Sequence, residues 1–429
     1  MSILKITSDN PKLSYILAKN PETIRASNTP FKRSVRKGQV YGWFSENDQT
    51  FSLFFVDSPA ENSFSDSQFE YLDKSRYSSP YAPIAIMAQT LTTALAKPNE
   101  LDIEGYETKV SSTIKVPARI ISRFEKMKGL ILEAVEIAPG HHKVSLATNG
   151  VLKALNLFQT LCFVACMADD DTYVPLTEEG LLKFVKGLNR VDAPYYLRYL
   201  VSSRAINNRD VFGRMKEHLD TDTINMKFGD TQTQRHDAIK AQLLGGEKLV
   251  DIGCGEMFHA LRLSKVYETV YAIDADEEIF KANSGKVIRR KLDDKIIPML
   301  TNVTAPNWVE ENESLLDDAD VLLGECIEHM PKILAFNLIL NLLLSGAKRI
   351  IITVPNKSFN VNYGMADDEF RHPDHLWEPT SKEWIEFIQN VKESVSDILV
   401  KRNFYTSQVG DIVGMEGMCH MAVFEANTA

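Results

Sequence analysis

Cysteine is scarce in this chain: five among 429 residues, at Cys162, Cys166, Cys254, Cys326 and Cys419, with no CxxC pair. That excludes a zinc ribbon and a disulfide-stapled fold. Cys162 and Cys166 fall one helical turn apart in an apolar stretch and read as small buried hydrophobes. The opening MSILKITSDN has no basic segment followed by an apolar run, so no secretory signal is read there. Long apolar runs are missing too. Gln159 interrupts LNLFQTLCFVACMA, and Lys348 with Arg349 interrupt the run before IIITV; neither reaches the roughly 20 residues a membrane span needs. The expectation is a soluble, cytoplasmic protein with no membrane partner. Basic residues are in deficit, 48 Lys+Arg against 58 Asp+Glu, for a formal net charge of −10. This counts against an extended groove that tracks phosphates; a nucleic acid would be gripped locally, at an end or a loop. No internal repeat or long low-complexity tract occurs.

What is present is ordinary globular material, 44% hydrophobic and 25% charged, in a chain long enough for two or more domains. Two stretches read as weakly structured, NSFSDSQFEYLDKSRYSSP and the polar run from Asn207 to Thr233. The second lacks a sustained apolar period and is taken as an interdomain connection. It leaves an accessory domain over 1–206 and a second domain over 234–429. In the first half VYGWFSENDQTFSLFFV reads as a β-hairpin. PIAIMAQTLTTAL, GVLKALNLFQTLCFVACMA and EEGLLKFVKGL read as helices. His141 and His142 in PGHHKV lack companion ligands and are expected in a solvated turn.

Past the connection the rhythm changes. QRHDAIKAQLL (helix), KLVDIGCG (strand and turn), FHALRLSK (helix), TVYAIDAD (strand), ADVLLGE (strand), KILAFNLILNLLL (helix) and RIIITVPN (strand) follow one another. The alternation predicts an α/β fold: a Rossmann-like, doubly wound C-terminal domain behind an N-terminal α+β accessory domain. The turn DIGCGEMF links a strand to a helix. Gly253 and Gly255 allow the backbone to bend and approach a ligand, and Asp274, about 20 residues on at the next strand end, suits ribose hydroxyls. Phe258 stands where a dinucleotide site needs its third glycine. Asp251 before the turn suits a cationic amino-acid ligand better than a pyrophosphate. Together these features resemble the first motif of S-adenosylmethionine methyltransferases.

ADVLLGE runs into ECIEHM, where Glu325, Glu328 and His329 at i, i+3 and i+4 would share one helical face. Two carboxylates and an imidazole make half of a divalent-metal site; first-turn preference for acidic residues explains the glutamates but not the histidine. A second cluster, FRHPDHLWEPT, carries Arg371, His372, Asp374, His375 and Trp377. Between them TVPNKSFN places Asn356 and Asn360 just past a strand end.

ExxEH, then TxPNxxFN, then RHxDHxxE, in this order, resembles the signature of the bacterial RNA-repair 3′-terminal ribose 2′-O-methyltransferases, relatives of the plant enzymes that methylate small-RNA ends. The match runs from about Gln234 to Phe424. LSYILAKNPE, VYGWF and YLDKSRYSSPYAPIAIMAQTL resemble that family's accessory domain. The sequence departs from the family at Met257, where glycine is usual, and at Pro379, which replaces a tryptophan. The resemblance implies S-adenosyl-L-methionine as cofactor, held by Asp251, Gly253, Gly255 and Asp274. It implies a divalent ion, manganese first and magnesium second, on Glu325, Glu328, His329 and His375. His329 and His372 would be catalytic, and Asn356, Asn360 and Arg371 would face the substrate. The substrate would be an RNA 3′ end with free 2′-OH and 3′-OH, because an ion chelating both hydroxyls selects an unblocked ribose. The partner would be a bacterial polynucleotide kinase-phosphatase-ligase docked on the accessory domain. Two other functions stay open on sequence grounds: metal-dependent methylation of a small diol, and a methyltransferase-like scaffold without activity.

Overall fold

The computed structural model describes residues 2–26, 29–35, 38–57, 78–168, 177–243, 245–395 and 402–426. Most of the NSFSDSQFEYLDKSRYSSP stretch lies outside the described residues. The chain divides into two compact units, Met1–Leu219 and Asp220–Ala429.

The first unit is built on a seven-stranded antiparallel sheet in the order β2-β3-β4-β1-β5-β7-β6. Its strands are β1 Ser2–Ser8, β2 Phe31–Val35, β3 Gly38–Phe44, β4 Thr50–Asp57, β5 Glu107–Lys115, β6 Ile131–Ala138 and β7 His141–Asn149. The expected hairpin is β3–β4, with Trp43 opposite Ser52. Alternation decides the faces: Leu4, Ile6, Val110, Ile114, Val144 and Leu146 point inward and are fully buried. The helix Val151–Ala168 packs on this inner face against β5 and β7. It is the one helix among the described residues long and apolar enough to cross a membrane, and 72% of it is buried within the protein. Cys162 and Cys166 lie in it as buried thiols, not joined in a disulfide. The expected solvated turn at His141 and His142 is instead the start of β7, where alternation sends His142 inward.

The segment 207–233 is structured rather than a plain connection. Phe212, Met215 and Leu219, at i, i+3 and i+7, form the buried stripe of a helix, Arg209–Leu219, in the first unit. Arg198, buried, donates to the His218 and Leu219 carbonyls at its end. Strand β8, Ile224–Asn225, already belongs to the second unit, pairing with the strand Arg402–Val413. Interspersed charges hide this stripe in the sequence.

The second unit has an eight-stranded sheet in the order β11-β10-β9-β12-β13-β15-β14-β8. It comprises β9 Gly246–Ile252, β10 Tyr267–Asp274, β11 Ile296–Leu300, β12 Asp320–Gly324, β13 Arg349–Pro355, β14 Arg402–Val413 and β15 Glu416–Ala426. Strands β9 to β13 are parallel; β15 returns antiparallel to β13. β13 is buried along its whole length, as a strand covered on both faces must be. On one side Ile350, Ile352 and Val354 meet Leu338, Ile339 and Leu342 of helix Lys332–Leu344, with Trp384 and Phe387 of helix Ser381–Ser394. Strand order reverses direction between β9 and β12. Doubly wound sheets open a crevice at such a switch point, at the strands' carboxyl ends.

Candidate active site

A cavity of about 440 Å³ opens at this switch point. Gly253 and Gly255 floor it, in left-handed conformations at φ 67° and 48°. A Cβ on Gly253 would overlap the Cys326 sulfur, so the turn after β9 and the turn after β12 fit together only through glycine. Met257 also adopts φ 59°, which explains why glycine suits that position; its side chain is buried nonetheless. Asp274 lines the cavity. Its carboxylate accepts from Gly255 N at 2.9 Å and Asp276 N at 3.0 Å, which fixes the loop. Thr301, Asn302, Val303 and Thr304, after β11, complete this side. The sequence reading missed them, though their place past a strand end was the available signal.

Asp251 is not among the cavity's lining residues. It is buried and accepts from Ala260 N at 3.2 Å, holding the helix Phe258–Leu263. Burial pushes its carboxyl up to about 7; the Ala260 bond opposes the shift and the charge of Asp274 adds to it. Its place is behind the Gly253–Gly255 turn, where it fixes the following helix.

On the cavity's other side lie Glu325 and His329. They do not share an α-helical face as expected. Glu325 sits at φ 54°, beyond the end of β12, and Ile327–His329 form one 3₁₀ turn. A left-handed non-glycine residue is strained backbone at a functional site. The result still gathers ligands: Glu328, His329 and His375 have ligand atoms within 4.8 Å of one another, the one such cluster among the described residues. Glu325 stands beside them with Oε2 3.1 Å from Nη1 of Arg235. Its other oxygen, and both oxygens of the buried Glu328, have no hydrogen-bond partner. Such orphans are rare because each costs free energy; here they fit a divalent ion that takes carboxylate and imidazole ligands. Burial, and then the neighbouring Glu325, push the Glu328 carboxyl well above the ordinary range. Burial, then His375 and His372, lower the pKa of His329 and favour the neutral ring that ligates.

His375 is oriented from behind. Its Nδ1 lies 2.5 Å from Glu378 Oε1, leaving Nε2 as the free ligand. Glu378 also accepts from Arg371 N at 2.7 Å and from Asn360 Nδ2 at 2.7 Å. Burial would raise its pKa, but these bonds together lower it. Arg371 donates through Nε to Asn360 Oδ1 at 2.6 Å and through Nη2 to the carbonyls of Asn356 and Met418. Asn356, buried, donates to Glu416 and the Gly417 carbonyl and accepts from Ser358 N. Asn356, Asn360 and Arg371 thus brace the loop through bonds to one another, to Glu378 and Glu416, and to backbone carbonyls. A polar residue past a strand end looks the same in sequence whether it points up or down. Pro379 leaves this frame intact: its carbonyl accepts from Lys357 N, and Thr380 with Glu383 forms the capping box of Ser381–Ser394.

His372 is exposed. Its ring centroid lies 6.1 Å from that of His329 and 5.8 Å from that of His375. Its Nδ1 faces Asp374, whose backbone N is 3.4 Å away, so Nε2 points elsewhere. Two residues complete the site: Arg235, which the sequence did not single out, and Glu378, the last residue of RHxDHxxE, to which it gave no role. Arg235 lies in the helix Thr231–Gln242; burial lowers its pKa, but Glu325 and the surrounding groups raise it overall, so it stays charged.

The profile of the Hen1 N-terminal domain matches residues 3–224. A small RNA 2′-O-methyltransferase of Caenorhabditis elegans is 25% identical over 181 residues, 37% of this chain and 41% of that protein. The chain therefore spans about two fifths of the length of this relative. Among solved structures, a chain of the Pnkp1/Rnl/Hen1 RNA repair complex superposes with a TM-score of 0.79 at 20% identity, covering 99% of this chain and all 100% of that one. A second structure of a Pnkp1/Rnl/Hen1 complex gives 0.78 at 21% identity, with the same coverage. At these identities the likeness is one of fold, and it extends through both units.

Proposed function

Since this chain belongs to the Hen1 N-terminal domain family, we propose that it transfers a methyl group from S-adenosylmethionine to the 2′-oxygen of an RNA 3′-terminal ribose. We assign it to RNA repair, beside a polynucleotide kinase-phosphatase-ligase. One observation carries the chemistry: a single cavity is lined both by the glycine turn, with Gly253, Gly255 and Asp274, and by His329 of the metal-type cluster with Glu325 beside it. At about 440 Å³ it has the size of a small-molecule site.

Asp274 would take the cofactor's ribose hydroxyls, and the glycines would let its amino-acid portion approach the backbone. The cofactor supplies a methyl carbon bonded to a sulfonium sulfur. Glu328, His329 and His375, joined by Glu325, would hold a divalent ion, with manganese the first candidate and magnesium the second. Such an ion supplies Lewis acidity that lowers the pKa of ribose hydroxyls and orients them. The remaining work belongs to side chains. Arg235 balances the charge of Glu325 and holds its carboxylate. Glu378 fixes the His375 tautomer. Nε2 of exposed His372 can take the 2′-hydroxyl proton as the oxygen–carbon bond forms and the carbon–sulfur bond breaks. Holding the reacting groups in one enclosed space contributes by proximity.

The test is transfer of labelled methyl to short RNAs carrying a 3′ diol, a 3′-phosphate, or a periodate-oxidised end. Only the diol should accept, and its product should resist later periodate cleavage. Equal transfer to the 3′-phosphate RNA, or transfer to a catechol in preference to RNA, would overturn this reading.

A further inference from the structure

The outer face of the first unit's sheet combines aromatic and basic side chains in a regular array. Register places Lys32, Tyr41, Phe54 and Ile3 side by side across β2, β3, β4 and β1. In the next row Trp43 and Lys5 flank Ser52. Trp43 and Ile3 are each 41% exposed. Tyr41 and Trp43 stand two residues apart on one strand, about 7 Å by strand rise. That spacing leaves room for separate flat ligands on the two rings. The Lys32 ammonium lies 5.8 Å from the Tyr41 ring centre.

Charge on this face runs against the whole. In a chain of net charge −10, the outward positions carry Lys5, Lys32, Lys109 and Lys143 against Glu107 and Glu133. Glu133 is engaged by Lys109 at 3.1 Å. Protein-binding surfaces are depleted in lysine at their centres. Lysines interleaved with rings suit a polyanion with flat bases instead. Bases stack on aromatic side chains of open sheets, and every base offers a π-face.

We infer that this face binds single-stranded RNA with little sequence preference, bases on Tyr41, Trp43 and Phe54 and phosphates on Lys5 and Lys32. The class of ligand rests on the RNA reading above, but the surface shares no residue with the methyl-transfer cavity. The test uses the full chain and a fluorescein-labelled oligouridylate ending in a 3′-phosphate, which should not be methylated. The pair Tyr41→Ala with Trp43→Ala should weaken anisotropy-detected binding by about tenfold or more. The charge reversals Lys5→Glu with Lys32→Glu, at exposed positions, should do likewise and reduce the salt dependence. Trp43→Phe should retain binding, and none of these should alter methyl transfer to a dinucleotide bearing a 3′ diol. Unchanged RNA affinity in the charge-reversal variant would overturn the inference. So would loss of binding to the kinase-phosphatase-ligase with RNA affinity intact, which would make this a protein interface. If the wild type binds the oligouridylate but methylates no RNA, the enzymatic reading fails and this one stands.

Discussion

Replacing Glu378 with glutamine tests whether His375 is a positioned ligand. The carboxylate takes three donors: His375 Nδ1 at 2.5 Å and Arg371 N at 2.7 Å on Oε1, and Asn360 Nδ2 at 2.7 Å on Oε2. Glutamine has one acceptor oxygen and one donor group. If its oxygen keeps His375 and Arg371, its NH₂ meets the NH₂ of Asn360. Asn360 cannot flip without cost, because its Oδ1 accepts from Arg371 Nε at 2.6 Å. One buried donor is therefore left without a partner, costing about 1–3 kcal/mol of stability. Without the carboxylate, the ring also loses what fixes its tautomer, and outer-shell changes of this kind lower metal affinity by roughly 10–100-fold. Calorimetric titration with Mn²⁺, beside thermal unfolding without metal, reads both effects. A lower melting temperature with unchanged Mn²⁺ affinity would reduce Glu378 to a structural residue. No change in either would refute the hydrogen-bond reasoning itself.

Gly253→Ala should abolish cofactor binding measured by calorimetry, because the new Cβ meets the Cys326 sulfur and φ is 67°; retained affinity would mean the two turns separate freely. Asp274→Asn should weaken the cofactor by about 1–3 kcal/mol, the scale of a lost charged hydrogen bond, and an unchanged isotherm removes Asp274 from the site. Glu328→Met should stabilise the metal-free protein by about 1–3 kcal/mol, since it removes a buried acid with two orphaned oxygens, while Mn²⁺ binding disappears; a lower melting temperature would contradict this. His420 is buried against Trp384, and burial above all lowers its pKa from 6.5 to about 4. The unfolded chain therefore binds a proton that the folded one refuses, and stability falls as pH drops from 6.5 towards 4, by about 3 kcal/mol. His420→Phe should flatten that part of the acid limb in urea unfolding, and an identical limb would show that other groups set it.

Much of the second unit was legible because its rules are local. β9, β10 and β12 are apolar runs that end at glycine or acid, β13 is one that ends at Pro355 before Asn356, and a parallel sheet follows from their alternation with helices. The clustering of Glu328, His329 and His375 was approachable for the same reason: polar residues gather at strand ends, and strand ends can be read. What escaped needed contacts between distant residues. Strand β14 carries mixed polar and apolar residues and is a strand because β15 and β8 pair with it. Arg235 lies ninety residues from Glu325 (235 against 325), so its role appears only after folding. The helix Arg209–Leu219 was hidden because three buried residues and Val211 among seven polar or small ones make a narrow stripe.

The orientation of side chains was the deepest loss. Asn356, Asn360 and Arg371 stand in the right loops, yet their polar groups are spent on Glu378, Glu416 and backbone carbonyls. Glu328 is the opposite case, fully buried with both oxygens unspent. The difference sorts scaffold from ligand. A side chain whose donors and acceptors are already paired gains little from a new partner. One whose burial cost is uncompensated gains that cost back when a cation arrives. Around the cluster Arg235 and Arg371 supply two positive charges, and Glu325, Glu328 and Glu378 supply three acidic groups. Glu325 has Arg235, and Glu378 has its three donors. Glu328 is left over, and burial favours its protonated form. If a divalent ion binds there the carboxylate must shed its proton, so calorimetry in buffers of different ionisation enthalpy should read a proton release that Glu328→Gln lowers; an unchanged release would take Glu328 out of the ligand set.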